Sequence, residues 1–248
     1  MERATTPALE QMEAGLGAVA DDLASTALVM ARRFAAGGTL WCVAPDWPAH
    51  ANHLAVEFVH PVMVGKRALP AVAVGAPLLR KMRVLARSGD MLIAVSKGDN
   101  EEVASVMRRA EVWGLTTVWL CTGDRPAPGS ATFILSTHEP GGAYTGRVVL
   151  LYHLLWELTQ VCFEHPGLLQ EPDSGTDGVE GIEGFCVTCS DEGRLAEVLD
   201  CGADQMIEVR TARGREMVDA GLVLDPRPGD LVLVHGGCVV SRVEGAAV

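Results

Sequence analysis

Two groups of residues in this 248-residue chain have the types and spacing to do chemistry. In "PAHANHLAVEF" (48–58), His53 and Glu57 stand four positions apart. On a helix that spacing puts both on one face, where an imidazole and a carboxylate can reach one metal ion. His50 and His60 share the stripe. A helix with a polar stripe at a subunit contact, its histidines satisfied by hydrogen bonds, would show the same pattern. The second group is "CVTC" (186–189), with Cys201, His235 and Cys238 further on. A zinc ribbon wants a second pair at matching spacing, and these later residues do not repeat the CxxC. A thioredoxin-like redox pair opens a helix in a βαβ setting, whereas here strand patterns follow. A single working thiol with a neighbour is the third reading.

The elements around these groups fall into two textures. From Thr39 to Glu139, apolar runs alternate with helical patterns. The runs are "TLWCVA", "LPAVAV", "MLIAVS", "TTVWLC" and "ATFILS". Near-continuous hydrophobicity suits strands buried on both faces. Between them, "PAHANHLAVEF" and "NEEVASVMRRAEVWG" have helical spacing, the second opening on Asn100 with acids in its first turn and closing on Gly114. Residues 7–36 and 143–163 read as further helix. The alternation predicts an α/β body with a doubly wound parallel sheet of five strands over 1–165. Residues 166–183, rich in Gly, Pro and acid, read as a linker. Over 184–248, "GRLAEVLD", "QMIEVRT", "GREMVDA", "DLVLVHG" and "CVVSRV" predict a small β-barrel.

Bulk properties narrow the function. Twenty Lys and Arg against 32 Asp and Glu give a formal charge of −12, which argues against a nucleic-acid partner, since phosphates call for basic surface. The first residues lack a basic segment followed by an apolar core, so no secretory signal is expected. The apolar stretch 148–163 is shorter than the ~20 residues a membrane span requires. The expectation is a cytoplasmic protein with no membrane partner, its seven cysteines kept as thiols.

"CVTCSDEGRLAEVL", "ARGREMVDAGLV" and "PRPGDLVLVHGGCVVSRV" together resemble the HypC/HupF family of hydrogenase maturation chaperones, over about 186–244. The most specific piece is the Gly-Asp-x-Val-Leu-Val-His run, 229–235, paired with a cysteine that opens the domain. The resemblance implies that Cys186 and His235 help carry an iron–cyanide–carbonyl unit, with a HypD-type partner, to the large subunit of a nickel–iron hydrogenase. A soft thiolate suits low-valent iron. The chain departs from that family in three ways. Cys186 is internal rather than N-terminal, Ser190 replaces the usual proline, and Cys189 is additional. A role needing a free α-amine is therefore excluded unless the chain is cleaved.

The first body resembles the SIS (sugar isomerase) family, and within it the phosphoheptose isomerases, over about 16–164. The carrying segments are "FAAGGTLWCVAPDWPAHANHLAVEFV" and "SGDMLIAVSKGDNEEVASVMRRAEVWGLTTVWLCTGD". The resemblance implies a phosphate loop at 95–100, where Ser96, Gly98 and Asn100 are the candidates to hold a ligand. It implies a divalent ion, zinc or another, at His53, Glu57 and His153, the family's glutamine falling at Thr145. Ala44-Pro45-Asp46-Trp47 stands where the isomerases place Asn-Gly-Gly-Ser, and Asp99 adds a negative charge to the loop.

Two functions follow. One is a maturation chaperone carrying iron, its SIS-like body serving for oligomerisation or docking. The other is a sugar-phosphate isomerase or sensor with an accessory barrel. The loop's missing hydroxyls favour the first. A homodimer or higher homo-oligomer is expected through the α/β body, because Val148, Leu151, Leu154, Leu155 and Leu158 form a broad apolar arc on the last helix.

Overall fold

The computed structural model describes residues 19–137, 146–170, 193–202 and 205–246. By packing, the chain divides into two units. Met1–Arg108 and Thr116–Glu171 make the first, and Arg109–Leu115 and Pro172–Val248 the second.

In the first unit α1 (Ala20–Ala35) precedes β1 (Leu40–Val43), α2 (Pro48–Val59), β2 (Ala71–Ala73), α3 (Leu78–Leu85) and β3 (Met91–Lys97). Then come α4 (Glu101–Val112), which runs on into the second unit, β4 (Thr116–Thr122), β5 (Phe133–Thr137) and α5 (Gly146–Glu164). The strands form one parallel sheet in the order β2-β1-β3-β4-β5, as the alternation predicts. Its core explains the near-continuous apolar runs. Met91, Ile93 and Val95 of β3 join α1, α2 and α5 in one cluster, while Leu92 and Ala94, on the opposite face, are equally buried. That second face also needs cover, and α3 and α4 carry buried apolar stripes, Leu78, Leu79 and Met82 on one and Val103, Val106 and Met107 on the other. The helix α3, too short and too basic to stand out in the pattern, is the element that sequence reading did not single out.

The arc on α5 has a different role from the one expected. Val148, Leu151 and Leu155 are buried in the cluster shared with α1, and Leu154 and Leu158 pack against it. The arc is covered within the unit by α1 and the sheet, so it does not by itself call for a second copy.

The second unit is a closed barrel of β6 (Arg194–Cys201), β7 (Met206–Thr211), β8 (Gly214–Asp219), β9 (Leu231–His235) and β10 (Cys238–Glu244), in the order β10-β8-β7-β6-β9. Four of the five pairings are antiparallel ladders. The fifth, β8 with β10, is parallel and rests on the single register pair Cys238↔Asp219, with the Asp219 N–H donating to Gly237 O at 3.0 Å. Small β-branched residues fill the interior, among them Val198, Val209, Val218, Val232, Val234 and Val239.

The Gly229-Asp230 pair at the start of the most specific motif is structural. Gly229 has φ +92°, a backbone that L side chains avoid. The buried Asp230 carboxylate accepts from the N–H of Arg227 (3.0 Å) and of Ala246 (2.8 Å), and Arg242 Nε lies 3.0 Å away. Within the same unit Arg109 is fully buried. Its guanidinium donates to Gly229 O (2.7 Å) and Gly245 O (3.0 Å), with Glu197 and Glu244 at 3.7 and 3.6 Å. No described helix is long and apolar enough to cross a membrane.

Candidate functional site

Pro48 opens α2, where its missing N–H costs nothing. Ala51, Leu54, Ala55 and Phe58 bury one side of the helix. That leaves His50, His53 and Glu57 on a flank facing α5, whose Tyr152 and His153 complete the group. His53 Nε2 and His153 Nε2 lie 3.1 and 3.3 Å from the same oxygen, Glu57 Oε1. Ligands about 2.0–2.1 Å from a tetrahedral ion are about 3.3–3.4 Å apart. Both histidine–Glu57 distances are near that spacing, and the two nitrogens and the carboxylate oxygen all lie within 4.8 Å of one another. The side chains of His53 and His153 are 41% and 38% exposed and that of Glu57 18%, so an ion can reach them from solvent. Among the described residues this is the one group of three or more such donors.

Tyr152 is the member that sequence reading missed. Its buried hydroxyl lies 2.8 Å from His53 Nδ1 and 3.2 Å from His50 Nδ1. Because Nδ1 of His53 is engaged there, Nε2 is the nitrogen aimed at Glu57. A tyrosine beside His153 on an apolar helix reads as core, and only the packing of α2 on α5 reveals its partner. Burial, and then the neighbouring His53, push the His50 pKa below its ordinary value. His60 caps the end of α2, its N–H bonded to Val56 O, and stands outside the metal-capable group.

The loop between β3 and α4 is built from the candidate ligand-binding residues, and each has an internal partner. Ser96 is buried, its hydroxyl accepting from Trp119 Nε1 (2.8 Å) and donating to Lys97 O (2.9 Å). Gly98 is required because a Cβ there would fall 1.7 Å from Asp124 O. Asn100 caps α4, its Oδ1 accepting from the Val103 N–H at 3.0 Å. The loop's outward donors are met by a carboxylate of the chain itself. Asp46 Oδ2 accepts from the Lys97 N–H at 3.1 Å, and both Asp46 oxygens accept from Asn100 Nδ2, at 3.2 and 3.3 Å. Asp46, from the first turn, thus brings a negative charge directly onto the loop, in addition to that of Asp99.

In the barrel, His235 is exposed at the end of β9 and Cys238 is half-buried at the start of β10. Cys186 and Cys189 lie outside the described residues, as does Thr145. Cys201 is exposed, its Sγ donating to Pro226 O at 3.1 Å. Its thiol pKa is raised, first by lost hydration and then by the Asp200, Asp230 and Asp225 carboxylates. Cys42, Cys121 and Cys162 are pushed up by burial.

No protein-family model matches the chain, and no curated protein matches it. Among solved structures the chain is similar to the phosphoheptose isomerase GmhA from Neisseria gonorrhoeae, with a TM-score of 0.49, 18% identity, and 63% of this chain and 92% of that one covered. A phosphoheptose isomerase from Francisella tularensis gives 0.48 and 15%, covering 60% and 94%. The Vibrio vulnificus NanR protein complexed with ManNAc-6P gives 0.46 and 19%, covering 64% and 62%.

Proposed function

We propose that the chain is a nickel–iron hydrogenase maturation chaperone. In this reading its barrel carries the iron–cyanide–carbonyl unit through Cys186 and His235, between a HypD-type protein and the hydrogenase large subunit. The observation that carries the reading is the barrel. The residues that resemble the maturation family, from Arg194 on, form one closed five-stranded barrel. Within it, Gly229 and Asp230 fix the entry to β9 and His235 ends it, exposed. An exposed imidazole can meet a large partner, and a site with few protein ligands lets the cargo leave. The α/β unit supports this reading over turnover, because Asp46 engages the Lys97 N–H and Asn100 Nδ2 in the loop that the resemblance assigns to a phosphate. The test is Cys186→Ala in the native host. Hydrogenase activity should be lost while the protein accumulates, and infrared bands of bound CN and CO should vanish from the purified protein. Normal hydrogenase activity would sink the proposal.

The His53–Glu57–His153 cluster favours a second reading, in which the α/β unit is a sugar-phosphate isomerase or sensor holding a divalent ion. Two imidazoles and a carboxylate within 4.8 Å of one another are a donor set that suits zinc. When bound, the ion would supply Lewis-acid polarisation of a sugar oxygen. Tyr152 orients His53 for that role. Turnover of sedoheptulose 7-phosphate well above a heat-killed control, lost in His153→Ala, would make this the better reading.

A further inference from the structure

The hairpin between β9 and β10 turns on Gly236 and Gly237, with φ of +57° and +80°. Those are the angles of a two-residue type I′ turn, which matches the twist of the strands it joins. The turn makes His235 and Cys238 direct cross-strand partners. Partners of that kind have Cβ atoms about 4.5–5.5 Å apart on one face. The next pair inward, Val234 with Val239, is fully buried in the barrel core. Alternation along the strands then puts the His235–Cys238 pair on the outer face, in keeping with an exposed His235 and a half-buried Cys238.

Among the described thiols, Cys238 alone has a histidine as its cross-strand partner. Cys42, Cys121 and Cys162 are buried in the first unit, and Cys201 is bonded to Pro226 O among carboxylates that disfavour its thiolate. An imidazole nitrogen and a thiolate sulfur together ligate iron, cobalt and zinc. A rigid two-residue turn holds the pair together at little entropic cost.

We propose that His235 and Cys238 form a two-donor metal site at the hairpin tip, and that Cys238 is an additional thiolate ligand for the iron cargo. The cargo part rests on the carrier reading above. Binding exchanges a proton for a metal: the Cys238 thiol loses H⁺ to solvent as its sulfur bonds the ion, with no change of oxidation state. The pair leaves the ion's remaining positions to Cys186 of the carrier reading, cyanide, carbonyl and a partner's ligands, so the ion can be both held and surrendered.

The test uses full-length, reduced protein titrated anaerobically with cobalt(II). Thiolate–cobalt charge transfer in the near ultraviolet reports sulfur ligation, and the His53–Glu57–His153 cluster has no sulfur to contribute to it. In a Cys186→Ser, Cys189→Ser background the band should persist. It should disappear when Cys238→Ser is added, and it should need at least about tenfold more cobalt with His235→Ala. Cys201→Ser should leave it unchanged. Far-ultraviolet circular dichroism establishes that each variant is folded, and Cys238→Ala provides a second removal of the sulfur should the serine variant misfold. A band that survives loss of Cys238, or no band in the starting background at excess cobalt, would overturn the site. Maturation assays separate the two ideas. If Cys186→Ala abolishes maturation while the Cys238 band is missing, the pair falls and the carrier stands. If the band behaves as expected and Cys186→Ala matures hydrogenase normally, the carrier falls and the metal pair stands.

Discussion

Asp46 illustrates how one side chain can close a loop. Its carboxylate accepts from Lys97 N–H and Asn100 Nδ2, at the head of a helix whose first turn already carries Glu101 and Glu102. Removing it should expose the donors. Asp46→Gly is therefore expected to gain inorganic phosphate binding, read as phosphate-dependent shifts of the Lys97 and Gly98 amides by NMR, while the parent protein shows none. Phosphate shifts in the parent would mean that Asp46 does not exclude the anion. The lost hydrogen bonds should cost about 1–2 kcal/mol of stability. Cys201 gives a second expectation at this scale. A raised thiol pKa leaves less thiolate at a given pH, so alkylation of Cys201 should climb with pH through a midpoint above the ~8.5 of a free thiol. Mass spectrometry of iodoacetamide-labelled protein over pH 7–10 measures this, and a midpoint below that of a free thiol would contradict it. The residue pattern made part of this site legible. His53 and Glu57 were readable because helical spacing alone brings them together. Tyr152 and Asp46 were not, since each acts on a partner about fifty or more positions away, and no local pattern encodes that distance.

At the scale of elements, the barrel strands and the parallel strands were legible because alternation and continuous burial leave different signatures. The reason for the Gly229-Asp230 signature was not. Asp230 ties the turn before β9 to the chain beyond β10 through the Arg227 and Ala246 N–H groups and Arg242. A buried carboxylate with three donors is costly to remove, since the donors stay behind unpaired. Asp230→Ala should lower the opening free energy of the Val232 and Val234 amides by about 2–4 kcal/mol in native-state hydrogen exchange. Asp230→Asn, which keeps an acceptor, should lose less. Equal, small effects would show that the carboxylate is dispensable.

For the whole molecule, the expected homo-oligomer has a second candidate surface. The α5 arc is satisfied by α1, but Val62, Met63 and Val64, in the segment after α2, are exposed together. Consecutive exposed apolar side chains of that kind are unusual on a chain that acts alone. Full-length protein is expected to be a dimer by light scattering, and Val62→Asp with Val64→Asp should convert it to a monomer. A monodisperse monomer in the parent protein would refute the assembly.

The β8–β10 seam has a mechanical consequence. Four ladders make the barrel a band, and one pair, Cys238↔Asp219, fastens its ends. A band fails at its fastener. Amides along that seam should therefore become labile to exchange before those of β6 and β7, in an opening that leaves the rest of the barrel intact. Cys238 is itself half of the fastener, so an ion seated on it would act as a rivet, slowing this local opening more than global unfolding. The barrel would then be tightest when loaded and loosest just after it has given its burden away.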